Sequence, residues 1–184
     1  MCETRRASAG VTRGARAALF AVVVACGGTG ILHPREALAQ QEELDASVHR
    51  DTARVRAATA AFRSLDAAVE AGYPRTVTGC LSNPELGGMG HHHAKSDLMD
   101  DNIELERPEI LVYTPTEDGE YTLHGVEYIV PYSARPPEAE PPTVMGQELK
   151  RADGLQIWYL HVWVWTPNPS GLFADWNPDV KCES

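Results

Sequence analysis

LQIWYLHVWVW, residues Leu155 to Trp165, is the most strand-like stretch of this 184-residue chain. Its odd positions are Leu155, Ile157, Tyr159, His161, Trp163 and Trp165; after Gln156 its even positions are Trp158, Leu160, Val162 and Val164. Side chains alternate between the two faces of a strand. Both faces are apolar here, which predicts a central strand covered on both sides. His161 sits in the middle of it, and a buried imidazole needs a partner for at least one nitrogen.

Working back along the chain, Glu109–Tyr113 and Glu120–Val130 are β-rich runs around the turn Thr116-Glu117-Asp118-Gly119, so they predict a hairpin. Pro131–Pro142 is a proline-rich acidic loop, and Val144–Leu149 reads as a third strand. In the second strand of the hairpin, alternation puts Glu127 on the face of Leu123 and Ile129, with His124 on the other. An inward carboxylate is costly unless it is paired or holds a metal.

Residues 44–72 carry helical periodicity. Val48, Val55, Phe62 and Val69 recur every seven, with Ala58 and Leu65 between them, until Gly72-Tyr73-Pro74 stops the run. Residues 74–108 are rich in Gly, Asn, Asp and Pro and read as one long irregular loop, with a short helix near Lys95–Met99. This loop contains GGMGHHHAKSD, residues 87–97. The fold class expected is α+β: one long N-terminal helix packed on a small antiparallel sheet, cone-like, with a small β-barrel as the alternative.

The N-terminus has the parts of a secretory signal. Arg5, Arg6, Arg13 and Arg16 precede the apolar run 17–32, and Ala37-Leu38-Ala39 supplies a cleavage site. The expectation is a signal peptide over residues 1–39 and a single exported domain over residues 40–184. Val23-Val24-Ala25-Cys26 resembles a lipoprotein box, which would place a lipid anchor on Cys26 instead, and Thr4-Arg5-Arg6 hints at twin-arginine export. Losing the leader removes five Arg and two Glu, so the formal charge of −10 becomes −13. Such a chain repels nucleic acid and attracts cations. No apolar run is long enough to span a bilayer as a mature helix. Cys80 and Cys182 then remain. In an oxidising compartment they are expected to form a disulfide; thiolate metal ligation is the alternative.

GGMGHHH, PEILVYTP, GVEYIVP and LHVWVWTPNPSGLFADWNPDVKC together resemble a group of small exported bacterial proteins of unknown function. The resemblance runs from about Ala71 to Cys182. That group carries Gly-Met-Gly-x-His-aromatic, so His92 matches its histidine, while His91 and His93 replace other residue types. The resemblance implies an exported domain and no particular activity.

Three functional readings follow. In the first, His92, Glu127 and His161 converge to bind a divalent metal, Zn or Cu, or a small ligand; imidazole and carboxylate suit these ions. His91, His93 and Asp97 are the lesser candidates, from the spacing His-x-His-x-x-x-Asp. In the second, the protein is a non-catalytic binding module whose Trp158, Trp163, Trp165 and Trp176 line a pocket, with His161 and Glu127 structural. In the third, His and Glu serve acid–base catalysis in a hydrolase-like enzyme; no nucleophile motif, phosphate loop or cofactor fingerprint accompanies them.

Overall fold

The computed structural model describes residues 34–182 apart from Arg75. The expected signal segment and Cys26 therefore lie largely outside the described residues; positions 34–39 open the first helix. Helix α1 spans Pro34–Thr59 and tightens into a 3-10 turn over Ala60–Arg63. Ser64 then leaves helical geometry (φ −88°, ψ 122°) and its hydroxyl caps α2, Leu65–Glu70, by accepting from the Ala67 N–H. The single helix expected over 44–72 is thus broken at Ser64. The break resets the helical phase: Val55 is fully buried, but Val69 is exposed and Ala68 is buried in its place.

Eight strands follow: β1 Thr76–Asn83, β2 Gly87–Ala94, β3 Ile110–Pro115, β4 Tyr121–Pro131, β5 Thr143–Val144, β6 Gln147–Glu148, β7 Lys150–Ala152 and β8 Ile157–Val162. Six form one antiparallel sheet in the order β1-β2-β3-β4-β8-β7; β5 and β6 make a separate ribbon. The sheet curls into a half-barrel and stops short of closure, between the two forms expected from sequence. Met145 and Gly146, both at positive φ, form the tight turn that splits the expected strand 144–149 in two.

The largest departure is at residues 76–94. The expected loop is a hairpin, and the histidine triplet lies in β2 with paired strands on both sides. Its turn is built by Asn83, whose side-chain oxygen accepts from the N–H groups of Glu85 and Leu86. The glycines that suggest a loop are there for close approach. Gly90 has φ 105°, and a Cβ on it would lie 2.8 Å from the Tyr113 carbonyl oxygen. The C-terminal tail is fastened to this hairpin by a backbone bridge between Gly88 and Asn177 and by the Cys80–Cys182 disulfide.

The sheet separates two apolar clusters. On one face, Leu111, Tyr113, Val126, Tyr128, Trp158, Leu160 and Val162 pack with Val48, Val55 and Phe62 of the helical segment. On the other, Ala94, Ile110, Val112 and Ile129 pack with Met99, Ile157 and Tyr159. β8 is apolar on both faces for this reason, although it lies one strand from the edge. It is also shorter than expected: the turn over 153–156, with Gln156 at φ 58°, leads into it and leaves Leu155 exposed, and the strand ends at Val162.

Candidate functional site

Strand alternation divides the histidine triplet. His91 and His93 turn toward aromatic rings, His91 to Tyr121 at 6.0 Å and His93 to Tyr113 at 5.1 Å between centroids. His92 turns to the other face, where it lines a half-open cavity of about 400 Å³. Only His92 of the three lines that cavity. Its Nδ1 lies 3.0 Å from the Thr78 hydroxyl on β1, and its Nε2 lies 3.6 Å from Glu127 Oε2.

Glu127 and His161 are direct partners on β4 and β8, so they share this face. Glu127 is 6% exposed and His161 0%. The His92 and His161 rings meet edge-on at 6.0 Å, and His161 lies 4.5 Å from the Trp163 ring. Both ring nitrogens of His161 lack a hydrogen-bond partner. The three residues singled out from sequence are therefore brought together.

The expected grouping along β4 needs one correction. His124 is the extra residue of a bulge, since Leu123 pairs with Tyr113 and Gly125 with Val112. Alternation does not carry across it. Leu123 belongs to the helix-side core, whereas Ile129 stays with Glu127. His124 is held between the Thr114 and Thr166 hydroxyls. Asp97 lies in the 3-10 turn Ser96–Leu98, outside the cavity lining, and its charge acts on the Tyr73 hydroxyl. Cys80 and Cys182 are joined and are not thiolate ligands.

Burial decides the charge state. It pushes Glu127 up to about 8, helped by nearby Asp175 and opposed by Lys150. It pushes His92 down to about 4, with His91 adding to the effect, and His161 well below its ordinary value. The His92–Glu127 contact is therefore between mainly neutral groups near pH 7, and at 3.6 Å it is too long for a strong hydrogen bond. It is not a stabilising ion pair. Among the described residues no group of three or more His, Cys, Asp or Glu is arranged to hold a metal ion. Holding one would require His92 Nε2, Glu127 and His161 to draw closer.

Sequence reasoning missed the second polar group of the cavity. Asp175, in the aperiodic tail, accepts from Lys150 Nζ at 2.5 Å and from the Tyr159 hydroxyl at 3.2 Å. Tyr159 was within reach of the argument, because it shares strand parity with His161. Thr78 was not, because β1 carries no recognisable alternation. The tryptophans do not share a pocket. Trp176 lines the cavity; Trp163 donates to the Ala174 carbonyl, Trp158 to that of Arg135, and Trp165 to the Thr59 hydroxyl. Elsewhere, Glu109 is a second buried carboxyl, pushed up to about 8 by burial and accepting from the Ile129 N–H. No helix among the described residues is long and apolar enough to cross a membrane. No family model, no curated protein and no solved structure matches the chain.

Proposed function

We propose that this is an exported binding protein whose half-barrel takes a small, largely apolar ligand, with His92 and Glu127 meeting its polar end. The observation that carries the reading is the cavity itself. Its walls are mainly apolar, including Met99, Ile110, Ile129 and Ile157, and its polar groups are few and convergent. That combination, at a volume of about 400 Å³, is what small-molecule sites present. Export is supported by the Cys80–Cys182 disulfide and by the charged, then apolar, N-terminal sequence.

The test is to block the cavity at its rim. Ala152 lines it from the edge strand β7 and is not fully buried. Ala152→Trp should leave the fold intact and abolish binding of small apolar probes such as 1-octanol, followed by calorimetry. Equal binding by folded wild type and variant would sink the cavity as the site.

A second reading is favoured by His161. A fully buried imidazole with two unpartnered nitrogens, beside His92 and Glu127, fits a divalent Zn or Cu site with an open position. The site would form by small side-chain movements of these three residues.

A further inference from the structure

Two carboxyl groups line the cavity, Glu127 and Asp175, and no Lys or Arg does. Asp175 is already engaged by Lys150 and Tyr159. Lys150 is committed in turn: its ammonium also donates to the Phe173 carbonyl at 3.1 Å. Glu127 differs. It is more than nine-tenths buried, it lines the cavity, and its carboxyl lies 3.6 Å from His92 Nε2. The cavity thus offers a carboxyl with spare acceptor capacity, and Lys150, the cation whose charge reaches it, is held by Asp175.

We infer that the ligand is an apolar amine, its ammonium set against Glu127 and its hydrocarbon body lying along Met99, Ile129 and Ile157. This rests on the ligand-binding reading above and names the chemistry of that ligand. A buried charge must be paired, so the ammonium and Glu127 each answer the other's desolvation. A carboxylate ligand would bring a further acid to Glu127 and Asp175, with no Lys or Arg in the lining to pair it. An alcohol would fill the apolar space but bring no charge. The Trp176 side chain in the lining adds aromatic surface that attracts cations; the Tyr159 ring already carries Lys150 Nζ at 5.8 Å. Burial and Asp175 hold free Glu127 toward its neutral form; a bound ammonium reverses that balance, and the acid releases its proton to solvent as the head enters. The mouth suits the other end of such a molecule. Val77 and Leu155, from the two sides of the sheet, line the cavity and are 58% and 68% exposed.

The experiment titrates the purified protein with 1-octylamine, 1-octanol and octanoate at pH 7 by calorimetry, and repeats it with Glu127→Gln. The amine should bind at least ~10-fold more tightly than the alcohol or the acid, as a charge-assisted contact to a buried carboxyl implies. Glu127→Gln should erase that preference, weakening the amine at least ~10-fold more than it weakens octanol. If octanol or octanoate binds as well as the amine, or the preference survives in the variant, the amine assignment is wrong and the apolar cavity stands. If folded wild type binds none of the three up to millimolar concentration, the ligand-binding reading itself fails.

Discussion

Glu127 and His161 stand directly opposite each other on β4 and β8, yet no hydrogen bond joins them. Neighbouring strands hold their backbones in register, and the His161 ring lies instead against Trp163. Burial drives both side chains toward their neutral forms. Two groups that ordinarily justify burial by pairing are thus buried without pairing to each other.

His161 should therefore contribute little to stability. An unpartnered buried imidazole carries a desolvation cost that a similar-sized apolar side chain avoids. His161→Leu is expected to change unfolding free energy by less than ~1.5 kcal/mol in urea denaturation. A loss of ~3 kcal/mol or more would mean the imidazole makes a polar contact of net benefit, and would favour the metal reading.

That reading has its own test. His92 alone of the triplet lines the cavity. Under chelator competition, His92→Ala should weaken Zn uptake by at least ~10–100-fold, while His91→Ala and His93→Ala leave it unchanged. Equal effects from all three would assign any uptake to exposed histidines, and no uptake by wild type would remove the metal reading.

The Cys80–Cys182 bond spans a sequence separation of 102 and ties β1 to the chain end. Replacing both cysteines by Ser should cost ~2–5 kcal/mol of unfolding free energy. An unchanged urea midpoint would show that the Gly88–Asn177 bridge suffices to hold the tail.

Glu109 should make stability pH-dependent. Its carboxyl is pushed from an ordinary 4.5 up to about 8, burial first, with Asp100 and Glu104 adding to it. Between these values the folded state holds a proton that the unfolded chain has lost. The contribution is complete below about 4.5 and is lost as pH rises through about 8. Gln at this position still accepts from the Ile129 N–H and does not ionise. The stability of Glu109→Gln relative to wild type should rise from pH 5 to pH 8, by at most ~1.4 kcal/mol per pH unit. Parallel pH profiles would contradict this.

How much was legible in the sequence follows from periodicity. β3, β4 and β8 alternate or run apolar, so their existence could be read directly; the shared face of Glu127 and His161 depends on the β4–β8 register, which makes them direct partners. β1 and β2 could not: Gly87, Gly88 and Gly90 suggest a loop, but they serve close backbone packing against Tyr113 and the tail. Ser64 and His124 each shift the phase of an otherwise regular element, one by a cap and one by a bulge. Local pattern gives no warning of either. Asp175 lies in a tail without period, and only tertiary contacts bring it to the cavity.

The central claim is that a ligand enters the cavity at His92 and Glu127. Histidine-selective NMR tests it most directly, with resonances assigned by single substitution and the protein titrated with 1-octylamine and 1-octanol. The ring signals of His92 and His161 should shift with a common saturation curve, while those of His91, His93 and His124 stay in place. Saturable shifts at His91 or His93 without one at His92, or no shift at any histidine, would contradict the account.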